Sequence, residues 1–600
     1  MIAITKQLVS FSPVTITDQP ALLNDSIKAF NKCVARLPRN FAIQMAAGFS
    51  EKYNQYGIIT AFKYLRERTS RASQVLKQYP LPIKALYREE TRKELGLNAA
   101  NECYEMLIQN VAGEREYIDK LTDKYKALSH FATGFKISPP AINPDIPETI
   151  ETALMRLTCA KWWARKFERQ AKYSRELTQI AAKRVNKKCP YISLDGLQEF
   201  RAKVKAGQDY LEAFEVFCEE TGQVQLLADV AAKTTSNPQN RLNELMVRLA
   251  GMEEIAKEKE QEAFFITWTA PSKWHGASNK WNLANPKESQ AFLCNQWAKA
   301  RAKLARKGVQ FSGVRITEPH KDATPHWHIL VFVNKDQSKQ MLSILRDYAT
   351  QPDNDELIAR EEARKRQGKA QEAFGKVRFD VEAIDPSKGS AVAYITKYIS
   401  KNINAKGVKN EPDYDSELTL ERASERVRGW ASKWDVRQFQ FFGAAKISVY
   451  RELRRIKNPL LDDALEKIRL AADGAKWGKF QTLCESQQVS LEYETNPEAG
   501  EYGDDIQTIK GVNFNDVPFV TRFLKWVSRK SGSNANMEDG SPSWSSVNNC
   551  TQQSKSNLQD IKKLGYRENH AGILANGGKL TFDGVIYHQI IDNELRQFTK

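Results

Sequence analysis

Two histidines separated by one residue are the clearest chemical feature of the sequence, in the segment His326-Trp327-His328. On a β-strand, residues i and i+2 project from one face, so both imidazoles would point one way and Trp327 the other. The strand continues as the apolar run Ile329–Val333, as expected of a buried central strand. Two imidazoles held on a rigid sheet would supply half of a metal site.

The third ligand of such a site is expected from the preceding strand, Gly313–His320. A short turn would pair this strand antiparallel with the histidine strand, and either Glu318 or His320 could then face the imidazoles. Two nitrogens and one further ligand leave coordination positions open, which suits a catalytic divalent cation.

A pair of tyrosines, Tyr394 and Tyr398, lies in a segment with helical periodicity, residues 387–403. At about 100° per residue the two phenols lie about 40° apart on the helix surface, with Lys397 and Lys401 beside them. A separate apolar stripe, about 130° around the axis, can serve as the core face. The stripe consists of Val392, Ile395, Ile399 and Ile403. The packing of this helix therefore does not require the phenols.

The two features together indicate attack of a phenol on a phosphodiester. A phenol has a pKa of about 10, so it needs a neighbouring cation or a base to become a nucleophile. A bound metal ion would neutralise the phosphate as a Lewis acid, and Lys397 would assist. The products would be a phosphotyrosine ester and a free sugar hydroxyl, and two tyrosines would permit two successive transfers without a nucleotide cofactor. Glu plus H-x-H also describes the ligands of mononuclear iron oxygenases, an alternative that leaves the tyrosine–lysine face unexplained.

The elements that would position these residues form an α+β segment of the chain. β-Branched and aromatic residues predict strands at 263–269, 313–320, 326–333, 377–383 and 436–442. Residues 447–449 could be a further strand. Helical periodicity predicts helices at 291–306, 354–374 and 387–403.

Composition narrows the class of partner. Lys and Arg total 90 against 73 Asp and Glu, and the net charge of +17 points to a polyanion as the binding partner.

The composition also excludes several classes of protein. The hydrophobic fraction of 41% excludes wholesale disorder. No apolar run approaches the roughly 18 residues that a membrane span needs, and no secretory signal is visible. Eight cysteines without a C-x-x-C pair favour a reducing cytosol over a disulfide framework.

The segment Lys161–Lys188 is a candidate nucleic-acid surface. It holds ten Lys or Arg against two Glu, with Trp162 and Trp163 side by side. A basic helix with aromatic residues can follow phosphates and stack on bases. A solvated helix with two core tryptophans would have the same pattern. The candidate contacts here are Lys161, Arg165 and Lys166.

The histidine and tyrosine segments make the sequence resemble the replication gene A protein family of temperate tailed bacteriophages. These are rolling-circle replication initiators of the two-tyrosine HUH endonuclease superfamily. The three superfamily motifs look like FFITWT at 264–269, EPHKDATPHWHILVF at 318–332 and YITKYISKN at 394–402. Further similarity runs through KWWARK at 161–166, NPQNRLNELM at 237–246, PSKWH at 271–275, VRQFQFFG at 436–443 and VYRELRR at 449–455. The resemblance covers roughly residues 150–460 and departs at Trp268 and Ala323, where a smaller residue and glycine are commoner.

The resemblance implies a site-specific, strand-specific nick at a replication origin. One tyrosine would become linked to the 5′ phosphate, and the freed 3′ hydroxyl would prime synthesis. The other tyrosine would cut the regenerated origin and allow the displaced strand to be rejoined. A relaxase or a two-tyrosine transposase with the same chemistry is the nearest alternative. The residues implied are Tyr394, Tyr398 and Lys397 for catalysis, and His326, His328 and Glu318 (or His320) for Mg²⁺ or Mn²⁺.

The implied partners are single-stranded or supercoiled origin DNA and, because the sequence has no P-loop motif, a host replicative helicase and polymerase. No membrane partner is expected, and the expected location is the cytoplasm of the bacterial host. Candidate DNA contacts in the α+β segment are Lys273, Trp274 and Arg437, although Trp274 could equally belong to the core.

The implied fold is an antiparallel sheet of about five strands with the histidines on central strands and the tyrosine helix alongside. We therefore predict an α+β protein with a central antiparallel HUH endonuclease domain and a large, mainly helical N-terminal region. The predicted organisation is a helical region at 1–150, a basic helical region at 151–260, the HUH endonuclease domain at 261–458, an extension at 459–530, a flexible linker at 531–557 and a small terminal element at 558–600.

Overall fold

The computed structural model describes residues 28–34, 37, 39–81, 83, 85–108, 117–370, 372–403, 413, 416–497, 500–532, 579–580, 586–591 and 594–599. The chain divides into two compact units. The first comprises residues 1–182, 494–508 and 526–600, and the second comprises residues 183–493 and 509–525. The division at 182/183 falls inside the segment 151–260 that was predicted as one basic helical region. Most of the predicted linker, residues 533–557, lies outside the described residues.

The first unit is built on long helices. They are α1 (Arg39–Lys77), α2 (Glu89–Ile108), α3 (Tyr117–Gly134), α4 (Pro147–Leu157) and α5 (Ala160–Ala181). Gly57 interrupts α1, because its φ of 78° and ψ of 177° are not helical. Glycine adopts this backbone conformation more easily than other residues do. The core of this unit includes Trp163 and Phe167 of α5, both fully buried. The helical prediction for this part of the chain is confirmed in the residues described.

The second unit combines helices with the central sheet. Its helices are α6 (Leu194–Ala213), α7 (Leu227–Lys233), α8 (Pro238–Glu258), α9 (Pro286–Arg306), α10 (Lys335–Thr350), α11 (Asn354–Arg366), α12 (Ala391–Ile403), α13 (Leu420–Trp434), α14 (Ile447–Leu453), α15 (Asp463–Asp473) and α16 (Trp477–Ser486). The strands up to this point are β1 (Phe214–Cys218), β2 (Val224–Leu226), β3 (Glu262–Thr269), β4 (Phe311–Pro319), β5 (Pro325–Val333), β6 (Phe379–Ala383) and β7 (Phe439–Phe442).

Further strands follow α16. They are β8 (Val489–Asn496), β9 (Ile506–Phe514), β10 (Val517–Val520), β11 (Trp526–Lys530), β12 (Lys579–Leu580), β13 (Ile586–Ile591) and β14 (Glu594–Thr599). Strands β12, β13 and β14 form one antiparallel sheet within the first unit.

The central sheet has the order β6-β3-β5-β4-β7, and every neighbouring pair is antiparallel. The chain is therefore α+β, as predicted, with a five-stranded antiparallel sheet and the histidine strand β5 at its centre. The predicted strands match β3 to β7 within three residues at each end. The strand predicted at 447–449 is wrong, because these residues begin helix α14. Its buried residues Val449, Tyr450 and Leu453 have the three- and four-residue spacing of a helix that packs on the core.

Alternation along the strands separates two cores. Trp268 and Trp327, which are directly paired, face the core formed with α9 and α10. Phe265 and Ile316 face the opposite core, which includes Ile395 and Ile399 of α12. Helix α12, predicted at 387–403, begins at Ala391, and its apolar stripe is the face that packs on the sheet. The tyrosine helix and the two histidines therefore lie on the same side of the sheet.

Candidate metal and nucleophile site

Three side chains on adjacent strands converge on one point of the sheet. Glu318 of β4 is directly paired with His326 of β5, and His328 follows two residues later on the same face. His326 Nε2 lies 3.0 Å from His328 Nε2, and Glu318 Oε2 lies 3.8 Å from His328 Nε2. One ligand atom from each residue falls within 4.8 Å of the others, and all three residues are buried. This is the arrangement expected of a three-residue metal site.

The chemistry of these donors fits a divalent cation. Two imidazole nitrogens 3.0 Å apart satisfy each other only by sharing a proton or a cation. Burial, followed by the charges of His320 and His328, lowers the pKa of His326 well below its usual value. His326 is therefore neutral, which is the form that binds a metal. Thr267 Oγ1 lies 3.3 Å from His328 Nδ1, and a hydrogen bond there would direct Nε2 towards the ligand position.

The structure brings Glu318 rather than His320 into this group. Strand β4 ends at Pro319, and His320 already belongs to the turn, where its backbone N donates to the carbonyl of Thr324. The His320 ring stacks on His326 at 4.0 Å. Ala323 in the same turn has φ of 73°, a backbone conformation that is less strained for glycine than for other residues. Glycine is thus the natural residue for this turn, as the resemblance indicated.

Tyr398 lies against the metal group, by which we mean the three candidate ligands Glu318, His326 and His328. Its ring centroid is 4.1 Å from that of His328. Phe265 of β3 stacks on both rings, at 5.1 Å from Tyr398 and 5.4 Å from His328. The phenol is therefore held between the sheet and the candidate metal ligands.

Tyr394 has different surroundings from Tyr398. Its ring meets Phe265 edge-on at 4.9 Å, and its hydroxyl donates a hydrogen bond to Glu382 of β6. That hydrogen bond, with partial burial and the charge of Glu382, raises the pKa of Tyr394 to about 12. The two tyrosines are therefore not equivalent in this structure.

A buried lysine stands behind the metal group. The side chain of Lys397, the predicted assistant, lies outside the described part of the structure. Lys401, one turn further along α12, is 4% exposed, with Nζ at 3.6 Å from Glu318 Oε2 and 3.3 Å from Asp413 Oδ1. Tyr191 donates a 2.7 Å hydrogen bond to the other oxygen of Asp413. Lys401 thus offsets part of the negative charge of Glu318 and Asp413 together.

The first turn of α12 is also held in place. Glu253 of α8 accepts hydrogen bonds from the backbone N of Ala391, at 3.1 Å, and of Val392, at 3.4 Å. A carboxylate at a helix N-terminus satisfies otherwise unpaired N–H groups and interacts favourably with the helix dipole. Glu253 therefore fixes the start of the helix that carries the tyrosines.

Several residues of the site were missed by sequence reasoning. Those nearest the tyrosines and the candidate metal ligands are Phe265, Thr267, Glu382 and Asn402. The alternation in FFITWT indicates that Phe265 and Thr267 share a face, but only the β3–β5 register shows that this face carries the histidines. Glu382 meets the site because β6 pairs Glu382 with Phe265. Asn402 lies in the segment YITKYISKN, which was noted for its tyrosines alone.

A cavity of about 420 Å³ opens beside His326. His275 and Asp322 lie on its wall, with Nδ1 of the imidazole 3.7 Å from the carboxylate. Burial would raise the pKa of Asp322, but the hydrogen bond and charge of His275 outweigh it and lower this pKa. The other lining residues include Tyr191, Thr267, His320 and Lys321. Of the three candidate ligands, His326 is the one that lines this cavity.

The three candidate DNA contacts of the second unit have different surroundings in the structure. Lys273 forms an ion pair with Asp353 at 2.9 Å. Trp274 is half-buried, stacks on Phe292 at 5.0 Å and packs against the core, and it stays a predicted DNA contact. Arg437 is exposed.

The basic residues of α5 in the first unit are engaged within that unit. Lys161 and Arg165 form ion pairs with Glu501 at 3.7 Å and 2.8 Å. Lys166 lies 4.6 Å from the ring of Trp162. Trp162 and Trp163 are 7% and 0% exposed, so neither presents a face for stacking on bases.

The fold and the site define a class: α+β proteins whose central antiparallel sheet sets a Glu-His-His group against a helix with two tyrosines. The chain belongs to the bacteriophage replication gene A protein (GPA) family, which matches residues 89–406. The match begins and ends earlier than the roughly 150–460 indicated by motif resemblance, and it covers more of the first unit.

Individual relatives support this placement. The chain is 36% identical over 543 residues to the probable replication protein P12 of Pseudoalteromonas phage PM2, covering 86% of this chain and 82% of the relative. It is 37% identical to the replication gene A protein of Escherichia phage 186, covering 67% and 60%. It is 31% identical to a probable replication endonuclease from a prophage-like region of Salmonella paratyphi A, covering 75% and 60%. The chain thus spans about three fifths of the length of the last two relatives.

No solved structure shows significant similarity to the chain. Across the described residues, no helix combines the length and the apolar content that crossing a bilayer requires.

Proposed function

We propose that this chain is a site- and strand-specific DNA endonuclease and strand transferase that initiates rolling-circle replication of phage DNA. It would nick the origin through a covalent 5′-phosphotyrosine intermediate. The observation that carries the proposal is the position of Tyr398, whose ring lies 4.1 Å from that of the candidate metal ligand His328. The name replication endonuclease, given to the Salmonella relative, supports the nicking activity.

The proposed reaction is a transesterification. The phenol oxygen of a tyrosine forms a new bond to phosphorus, the bond from phosphorus to the 3′ oxygen breaks, and the phenol proton is balanced by the proton of the new 3′ hydroxyl. Because one phosphodiester replaces another, the free energy of the broken bond is kept in the new ester for the joining step. Tyr398, packed against His328, is the candidate for the first transfer, and Tyr394 the candidate for the second.

The proposed cofactor is Mg²⁺ or Mn²⁺, bound by Glu318, His326 and His328. When bound, such an ion supplies Lewis-acid stabilisation of the charge on the phosphate. The protein's own contribution is positional: the paired strands β4 and β5 fix the three ligands, and Phe265 holds the phenol beside them. The role predicted for Lys397 in the same charge stabilisation remains part of the proposal.

The proposed substrate is single-stranded or supercoiled origin DNA. The net charge of +17 supports a phosphate-binding surface whose affinity falls as salt rises. Arg437, which is exposed, remains a proposed contact, as do Lys161, Arg165, Lys166 and Lys273 if DNA replaces their present acidic or aromatic partners. A host helicase and polymerase remain proposed partners.

Two other functions fit parts of the sequence. A relaxase or two-tyrosine transposase would use the same chemistry, and membership of the replication gene A family favours the replication initiator. An iron oxygenase would use the same ligands, but it gives no role to Tyr398 against His328.

The test is incubation of the protein with single-stranded origin DNA and Mg²⁺ or Mn²⁺, followed by mass mapping of any DNA–peptide adduct. We expect adducts on Tyr394 and Tyr398 that require the metal. Nicking without a protein–DNA adduct would disprove the covalent mechanism. Equal cleavage of DNA that lacks the origin would argue against the replication initiator.

A further inference from the structure

Asn402 occupies the junction between the candidate metal group and the tyrosine helix. It lies one turn after Tyr398 on α12, and its side chain is 1% exposed. Its Nδ2 donates to Glu318 Oε1 at 2.5 Å and to the backbone carbonyl of Tyr398 at 2.6 Å. One amide group therefore touches both the carboxylate ligand and the backbone of the nucleophile.

The orientation of this amide is fixed from its other end. Asn402 Oδ1 accepts a 2.5 Å hydrogen bond from Gln438 Nε2. The backbone carbonyl of Gln438 in turn accepts from the N of Thr317, the residue before Glu318 on β4. Because the oxygen faces a donor and the nitrogen faces two acceptors, a flipped amide would break all three bonds.

The bond to Oε1 decides how Glu318 presents its other oxygen. With Oε1 held by Asn402, Oε2 lies 3.8 Å from His328 Nε2 and 3.6 Å from Lys401 Nζ. A rigid carboxylate presents one chosen oxygen to a cation, whereas a rotating one must be ordered on binding.

We propose that Asn402 is a positioning residue that holds the Glu318 carboxylate in its metal-binding orientation and ties it to the backbone of Tyr398. The inference rests on the proposed function, in which Glu318 is a metal ligand. Residues that hydrogen-bond a metal ligand typically contribute 10–100-fold to metal affinity. The same bond sets the distance between the ligand and the nucleophile helix.

The test measures Mn²⁺ binding to the full chain by isothermal titration without DNA, so its readout is independent of nicking. Asn402→Leu, which keeps the number and branching of the side-chain heavy atoms, should weaken Mn²⁺ binding about 10–100-fold. Gln481→Leu is the matched control, because Gln481 is also a buried amide, 4% exposed, with bonds to Trp477 and Gly443. This control should lower the melting temperature but leave Mn²⁺ affinity within about twofold, since Gln481 contacts no metal ligand.

A double-mutant cycle separates positioning from a general structural role. If Asn402 acts through Glu318, adding Asn402→Leu to Glu318→Gln should weaken Mn²⁺ binding no further. Asn402→Ala removes the amide without adding bulk and gives the same readout if the leucine variant does not fold.

The outcomes distinguish this inference from the proposed function. If Glu318→Gln weakens Mn²⁺ binding and both Asn402 variants bind as the wild type does, only the positioning role is overturned. Additive losses in the cycle would also overturn it. If Glu318→Gln itself leaves Mn²⁺ affinity unchanged, the carboxylate is not a ligand, and the proposed metal site falls together with this inference.

Discussion

The ring of Tyr398 lies 4.1 Å from that of His328, whereas the hydroxyl of Tyr394, one helical turn earlier, is bonded to Glu382. This asymmetry makes the two tyrosines distinguishable by mutation. Tyr398→Phe removes one oxygen and keeps the ring on Phe265, so the first cleavage should fall to background while the fold is retained.

The measurement is the yield of covalent adduct with single-stranded origin DNA on denaturing gels. Tyr394→Phe should retain the first cleavage but fail in the second transfer. The double variant should form no adduct, and any adduct that it forms would place the nucleophile elsewhere.

Glu382 should control the pH dependence of Tyr394. A hydrogen bond to an ionised carboxylate favours the protonated phenol, which is why the pKa of Tyr394 is raised to about 12. In the wild-type protein, the adduct formed at Tyr394, resolved from that at Tyr398 by peptide mapping, should therefore keep rising with pH above 10, the usual pKa of a tyrosine. Glu382→Gln removes the charge and should move this rise to lower pH. Superimposable pH profiles with and without Glu382 would contradict the assignment.

His326→Ala and His328→Ala should each abolish Mn²⁺-dependent nicking. Either change removes one of three ligands, and the neutral imidazole of His326 cannot be replaced by water at a fixed position. Binding of origin DNA, measured by fluorescence anisotropy, should change little. His130→Ala, at an exposed position of the first unit, is the control. Retained metal-dependent nicking in either histidine variant would remove that residue from the ligand set.

Lys401→Met should be strongly destabilising. Lys401 is the buried cation beside Glu318 and Asp413, and removing one partner of a buried ionic group typically costs about 3–5 kcal/mol. Lys433→Met is the matched control: Lys433 is also 4% exposed, but its partner Glu199 is 39% exposed and can be rehydrated. Urea unfolding should therefore show a clearly smaller loss for Lys433→Met. Equal losses would mean that charge balance at Glu318 is not the source of the effect.

Glu253→Ala should loosen the start of the tyrosine helix. The change removes the acceptor for the backbone N of Ala391 and Val392, and losing such a cap costs about 0.5–2 kcal/mol. Glu253→Gln keeps a carbonyl oxygen there and should lose only part of this free energy of unfolding. Adduct yield should follow the same order. A glutamine variant as unstable as the alanine variant would show that the charge, not the hydrogen bonds, holds the helix.

Much of the sheet could be predicted because its strands carry their own patterns. The apolar run after His328 and the β-branched segment before Pro271 indicated β5 and β3 without knowledge of any partner strand. The strand prediction failed at residues 447–449, where the short segment Ile-Ser-Val fits a strand or a helix equally well. Packing of Val449 and Leu453 on the core decided for the helix.

The candidate site was only partly predictable. The strand period places His326 and His328 on one face, and the helix period places Tyr394 and Tyr398 on one flank, so both pairs follow from local geometry. The choice between Glu318 and His320 does not, because both have the right spacing. It depends on where β4 ends and the turn begins.

The histidine strand, the tyrosine helix, the basic charge and the family resemblance follow from the sequence alone, because each is a property of composition or of neighbouring residues. That Phe265 and Glu382 adjoin the tyrosines follows from the tertiary structure, since these contacts require the strand order β6-β3-β5. The tertiary structure likewise pairs Arg165 with Glu501, 336 positions away, and Asn402 with Glu318, 84 positions away. Local spacing fixes the direction in which a side chain points, but the long-range packing of the chain fixes what it meets.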